Sequence, residues 1–297
     1  MGIDCILLPT DFSDHSRGAL EAGVGLAQRF GARLVLAHAY GAPAATLSSY
    51  GRAFPPDVLD EVRDEARDRL DQEAEALRAR GIDVVTRLSK QTAQETLART
   101  AEEVGASLIV MGTRGHGAVK QALLGSVAQH TMRAASCPVM TVSERLGVEQ
   151  ASRFQRILVP TDFSTAQDAS LAIARDLAGR GDEAAEIVIA HSIFVPPEIE
   201  AEVEQSGDSM RQALNAPSLA RIDALVETLA AEGHRARGEI LTGRPAEAIV
   251  AEARASAVDL IVMGTHGRSG LSHFILGSVA ERVVRSAPCP TVTVKPS

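Results

Sequence analysis

Apolar residues along this chain follow two periods in alternation. Short, near-continuous apolar runs occur at "CILLP" (5–9), "RLVLAHA" (33–39), "IDVVTRL" (82–88), "SLIVMG" (107–112) and "CPVMTV" (137–142). Runs of that length and density read as strands buried in a parallel sheet. Longer stretches with helical spacing lie between them. In "SDHSRGALEAGVGLAQRF" (13–30), Leu20, Val24 and Ala27 share a face, and a Ser or Asp is available as N-cap. Residues 56–81 carry a longer stripe of Val58, Val62, Ala66, Leu70, Ala74 and Leu77, closed by Gly81. "TAQETLARTAEEVG" (92–105) predicts a third helix and 126–135 a fourth.

The same order then repeats. "ILLPTDFS" (6–13) matches "ILVPTDFS" (157–164) at seven of eight positions, and 106–142 aligns without a gap on 258–294 with 18 of 37 positions identical. The offsets are 151 and 152, so each copy has the size of a whole domain rather than of a solenoid repeat. The expected domains are 1–145 and 153–297, joined in the polar "SERLGVEQASRFQ" (143–155). In copy two, the counterpart of the long helix is expected only after the irregular stretch 194–217. Strict β/α alternation predicts an α/β fold. Each of two tandem doubly wound domains is expected to be a five-stranded parallel sheet with helices on both faces. Ligands of such sheets bind beyond the carboxyl ends of the strands.

Composition narrows the picture. The chain has 297 residues, no Trp, two Tyr and seven Phe, so its core is aliphatic. A net charge of -8 argues against nucleic acid and anionic membranes as partners, which need a basic face. No apolar run approaches the ~20 residues that span a bilayer, and the N-terminus has no signal-peptide pattern. Cys5, Cys137 and Cys289 form no CxxC pair and read as buried free thiols of a reducing cytosol.

Candidate chemistry gathers where strand four ends. Both copies carry G-x-x-G-x9-G-S: Gly112, Gly115, Gly125, Ser126, and Gly264, Gly267, Gly277, Ser278. Glycines permit φ > 0 and close backbone approach. The helix that starts at Ser126 or Ser278 favours negative charge through its free N–H groups. Together these predict a phosphate cradle; the alternative is that the glycines only end strands and turn corners. Neither a Walker A nor a GxGxxG motif occurs. Asp11 and Asp162 follow strand one, on the same rim. Each could accept from a ribose hydroxyl or adenine amine, help hold a divalent cation such as Mg2+, or cap the next helix. Lys120, where copy two has Ser272, either adds charge to a phosphate site or is a solvated surface lysine. His38 and His191 lack partners at metal-ligand spacing and read as core or rim histidines. No Ser-His-Asp order repeats, so no catalytic or metal residue is assigned.

On "PTDFS" twice, "GTRGHGAVKQALLGS" with "GTHGRSGLSHFILGS", and the closing "CPVMTV" and "CPTVTV", nearly the whole chain resembles two tandem universal stress protein domains. The resemblance implies a Rossmann-like fold, akin to adenine nucleotide α-hydrolases, that binds ATP. Pro9, Thr10 and Asp11, with Pro160, Thr161 and Asp162, would line the nucleoside pockets. Ala39 and Ser192 would offer backbone contacts to adenine, and the glycine loops would take the phosphates. It further implies a cytoplasmic stress-response protein acting as a ligand-responsive regulator, with strand five pairing the two domains as a pseudo-dimer and whole chains able to dimerise. Two rival readings stand beside it: an enzyme that slowly hydrolyses ATP or transfers adenylyl groups, and an interaction module with a vestigial site.

Overall fold

The computed structural model describes residues 2–41, 56–114, 124–143, 153–181, 183–196, 198, 207–267 and 276–296. It divides into two compact units, 2–152 and 153–297. In the first, β1 (Cys5–Pro9), α1 (Asp14–Phe30), β2 (Arg33–Ala39), α2 (Pro56–Ala79), β3 (Val84–Ser89), α3 (Ala93–Val104), β4 (Leu108–Gly112), α4 (Ser126–Ala134) and β5 (Val139–Val142) alternate along the chain. The strands lie in the order β3-β2-β1-β4-β5, all parallel, with Leu7 beside Val35 on one side and Ile109 on the other. The second unit contains β6 (Arg156–Pro160), α5 (Ala166–Ala178), β7 (Glu186–Ile193), α6 (Gly207–Ala231), β8 (Ala236–Thr242), α7 (Pro245–Ala255), β9 (Leu260–Gly264), α8 (Ser278–Ser286) and β10 (Thr291–Val294). Its order is β8-β7-β6-β9-β10, again parallel. Strand order reverses between β1 and β4, and between β6 and β9. These are the switch points at which such sheets open a crevice.

The aliphatic runs explain the sheets. Ile6, Leu7, Leu34, Leu36, Ile109 and Val110 are fully buried, as are their counterparts in the second unit. Parallel strands need cover on both faces, and helices supply it. Local signals set the helix ends. Ser13 caps α1 by accepting from the Ser16 N–H, and Gly31 closes it in a left-handed conformation. Thr92 and Glu95 form a reciprocal capping box at the start of α3. Gly23 lets α1 lie against Leu8, because a side chain there would collide with the leucine.

Three expectations need correction. The α2 stripe is buried only in its second half: Ala66, Leu70, Ala74 and Leu77 are covered, whereas Val58 is 37% and Val62 42% exposed. The helix has 24 residues, ~36 Å at 1.5 Å per residue. The six to seven residues of β2 and β3 reach only about 20 Å, so the first turns of α2 extend past the sheet. Met210 and Leu214 of α6 are exposed in the same way. Secondly, α6 does not wait for Pro217. It begins at Gly207 and runs through the proline. Pro217 leaves the carbonyl four residues earlier without its helical donor. Burial of Ile222 and Leu229 holds the rest of the helix on its sheet. Thirdly, Cys137 is only half-buried, although Cys5 and Cys289 are buried.

Burial, aided by the nearby Asp259 charge, pushes the Cys289 thiol up to about 12. The thiolate is the reactive form. Cys289 is therefore expected to resist iodoacetamide in the native protein at about pH 8 and to react once the chain is denatured. Peptide mapping that found native Cys289 alkylated as fast as free cysteine would contradict this.

Candidate functional site

The rim of each unit is built from the turn after its first strand. Thr10 N–H still donates to Ala37 O at 2.8 Å, and Thr161 N–H to Ala190 O at 2.8 Å. The chain then turns sharply. Phe12 and Phe163 both take φ = 60°, a left-handed backbone that a bulky residue rarely adopts. Several contacts hold them there. Phe12 N–H donates to Thr10 Oγ1 at 3.0 Å, and Phe163 N–H to Thr161 Oγ1 at 2.9 Å. Each ring packs against a histidine, with centroids 4.4 Å apart for Phe12–His38 and 4.7 Å for Phe163–His191. An arginine from the long helix covers each ring: Arg69 lies 4.4 Å from the Phe12 centroid and Arg221 4.0 Å from that of Phe163. The histidines close the knot. His38 Nδ1 lies 2.8 Å from Thr10 O, and His191 Nδ1 2.7 Å from Thr161 O. A carbonyl only accepts, so Nδ1 is the donor in both.

This knot fixes the aspartates. Asp11 Oδ1 accepts from Ser13 N–H at 3.1 Å and from Ser13 Oγ at 2.5 Å. Asp162 Oδ1 accepts from Ser164 N–H at 3.1 Å. The cap of α1 is Ser13 rather than Asp11, so each aspartate braces its turn and faces the rim.

Burial holds the half-buried His38 below its ordinary value, against an opposing pull from the Thr10 hydrogen bond and Asp11, and with help from Arg69. A base depressed in the folded state adds stability above its unfolded value of about 6.5, and that stability is lost as pH falls through the folded value. Thermal unfolding is therefore expected to lose more stability from about pH 8 to pH 5 in the parent than in H38Q. Equal losses in the two would contradict this.

The glycine edge faces the aspartates. Gly125 and Gly277 are the N-caps of α4 and α8, and neither helix start has a side-chain cap. The N–H groups of a helix's first turn have no intrahelical acceptor, so those of Ser126, Val127 and Ala128, and of Ser278, Val279 and Ala280, are left for another partner. All six residues line cavities. The described loop glycines have no positive φ. Of the two reasons for glycine there, close backbone approach is the one these positions use, and a left-handed turn is not. A Cβ on Gly277 would stand 2.9 Å from Thr265 O, and one on Gly125 3.1 Å from Thr113 O. A Cβ on Gly267 would run into the Asp162 carboxylate.

Two cavities result. The first, about 490 Å³, is lined by Pro9, Thr10, Asp11, Gly112, Gly125 and Ser126, among others. The second, about 390 Å³, brings together Pro160, Thr161, Asp162, Ser192, Gly264, Gly267, Gly277 and Ser278. Both sizes are ordinary for small-molecule sites. Ala39 is not among the residues that line the first cavity, although its counterpart Ser192 lines the second. Ser192 Oγ donates to Gly243 O at 2.8 Å. Gly115, Lys120 and Ser272 lie outside the described residues. Sequence reasoning missed Phe12, Phe163, Arg69 and Arg221. Their signal was recurrence: both Phe and both Arg repeat at the offsets of the duplication. Arg114 and His266, at matching positions beside the glycine edges, were missed as ligand-facing residues.

Fold and site together define a duplicated parallel α/β domain with an uncapped helix start beside a cavity in each copy. Comparison with known proteins agrees. The model of the universal stress protein family matches residues 2–143 and again 153–295. The chain belongs to the universal stress protein family, in tandem form. A universal stress protein of Mycolicibacterium smegmatis is 29% identical over 98% of this chain and 97% of its own. Universal stress protein MJ0531 of Methanocaldococcus jannaschii is 34% identical over 48% of this chain and 82% of its own. Among solved structures, a universal stress protein from Archaeoglobus fulgidus aligns over 100% of this chain and 97% of its own, at 26% identity and a TM-score of 0.73. Among the described residues no helix is long and apolar enough to cross a membrane.

Proposed function

We propose that each domain binds an adenine nucleotide, ATP first among them, and that the chain is a ligand-responsive regulator in a stress response rather than a dedicated enzyme. One observation carries the reading. In both domains an uncapped helix start, a glycine edge with no room for a Cβ and a braced aspartate face one cavity. The fit to a nucleotide follows from donor chemistry. Free N–H groups at a helix start suit phosphate oxygens. Asp11 and Asp162 accept, and so suit a ribose hydroxyl, an adenine amine or a bound Mg2+. Pro9, Thr10, Pro160, Thr161 and Ser192 line the remaining walls, while Gly112, Gly125, Ser126, Gly264, Gly267, Gly277 and Ser278 hold the phosphates. Gly115 belongs to the same proposal by its place in the motif.

A regulator is preferred to an enzyme because no arrangement of base and nucleophile recurs in the two cavities. In the second unit His191 Nδ1 is taken by the Thr161 carbonyl, and His266, 3.0 Å from Thr265 Oγ1, has as its counterpart in the first cavity Arg114, which stays protonated and is no base. Calorimetric titration of the full chain with ATP is expected to show saturable binding, and a steady-state assay turnover well below about 1 s⁻¹, where ordinary enzymes begin. Faster turnover would overturn the regulatory part of the reading. Absence of saturable binding at millimolar ATP would overturn the whole of it.

A further inference from the structure

Among the described residues, the two cavities differ at one position on the phosphate side. Thr113 is followed by Arg114 in the first unit, and Thr265 by His266 in the second, and both second residues line their cavities. His266 Nδ1 lies 3.0 Å from Thr265 Oγ1. Its Nε2 is buried, with no hydrogen-bond partner in the described structure. A buried polar atom left unpaired is unfavourable, so it asks for a partner. The glycine edge and the open helix start beside it identify that partner as an anion.

We propose that His266 makes the second cavity a proton-gated phosphate site, whereas Arg114 gives the first cavity a fixed positive charge. The proposal rests on reading both cavities as nucleotide sites. A phosphate oxygen only accepts, so the contact needs a proton on Nε2. A neutral imidazole can meet both contacts, accepting from the Thr265 hydroxyl at Nδ1 and donating from Nε2, but the imidazolium adds a positive charge, and a charge-assisted hydrogen bond to phosphate is the stronger one. Phosphate therefore binds the protonated ring better, and by reciprocity protonation strengthens phosphate binding. Histidine changes charge between about pH 5 and 8. Arginine stays charged throughout that range, so the first site lacks the gate.

The surroundings agree with this assignment. The other titratable side chains lining the second cavity, among the described residues, are Asp162 from the turn after β6 and His191 from β7. The lining residues of α5, α7, β9 and α8 are all uncharged. The Asp162 carboxylate reaches the place a Gly267 Cβ would occupy, one residue from His266. His191 already gives its Nδ1 proton to Thr161 O.

The test is calorimetric titration of the full chain with ATP at about pH 6 and about pH 8, in the parent, H266R and R114H. One of the parent's two sites is expected to weaken about tenfold between the two pH values. H266R should hold at pH 8 the affinity that the parent's second site shows only at pH 6. R114H should make the first site pH-dependent as well. ATP's own terminal phosphate titrates in this window, so the readout is the difference between parent and variant. The same pH response in parent and H266R would overturn the proposal while leaving nucleotide binding intact. Absence of ATP binding at either pH would instead overturn the nucleotide reading on which it stands. A measurement on the parent alone guards against a variant that misfolds. Saturating ATP should raise the midpoint at which the His266 ring proton titrates by NMR, and an unmoved midpoint would overturn the proposal.

Discussion

Gly277→Ala is expected to cut ATP affinity at the second site at least tenfold and to leave the first site intact. The substitution changes no φ requirement, because Gly277 sits at φ = -60°. What it changes is space. The new methyl would stand 2.9 Å from Thr265 O, and that oxygen cannot withdraw freely. It accepts the Gly277 N–H at 2.8 Å, and Thr265 N–H is itself bonded to Val294 O at 2.8 Å. The α8 start must therefore move away from the rim, carrying the Ser278 and Val279 N–H groups with it. Forced overpacking of this kind costs about 1–3 kcal/mol, so the melting temperature should fall too. The counterpart Gly125→Ala should act more mildly at the first site, since its methyl would have 3.1 Å to Thr113 O. Calorimetry and thermal unfolding on the two variants read both effects. Two undiminished sites in Gly277→Ala would show that the glycine edge is not the phosphate cradle.

Asp162→Asn is expected to weaken the second site by about 10- to 100-fold with little change in stability. Asparagine keeps an oxygen that can accept the Ser164 N–H, now 3.1 Å from Asp162 Oδ1, so the turn survives. What is lost is the charge, and a hydrogen bond to a charged group contributes about 1.5–3 kcal/mol, which is that range of affinity. Asp162→Ala would remove the turn contact as well, and should add a stability loss that the asparagine variant lacks. Tighter ATP binding in Asp162→Asn would contradict the assignment, because it would mean that the carboxylate repels phosphate instead of accepting from the nucleoside or holding a cation.

Much of this was legible in the sequence, and the reason differs by element. Strands β1, β4, β6 and β9 announce themselves because both faces are covered, so their residues are apolar without interruption. The paired glycine edges were legible because they are written twice, at one spacing and in one context. Which of two physical reasons the glycines serve was not. Sequence allows either a left-handed backbone or a close approach, and the structure shows that Gly125 and Gly277 lack room for a Cβ. The left-handed turn belongs instead to Phe12 and Phe163, which propensity would place there last. Their support comes from Arg69 and Arg221, some 57 residues along the chain, and no local pattern carries a contact of that range. The exposed start of α2 was hidden for a similar reason. Val58 and Val62 continue the core stripe perfectly in sequence, and only the length of the sheet beneath decides where cover ends.

The central claim, two nucleotide cradles in one chain, is tested most directly by counting. Equilibrium dialysis of the full chain against millimolar ATP, followed by denaturation and mass-spectrometric quantification of the released nucleotide, should give two adenine nucleotides per chain. A chain that retained none under those conditions would contradict the account.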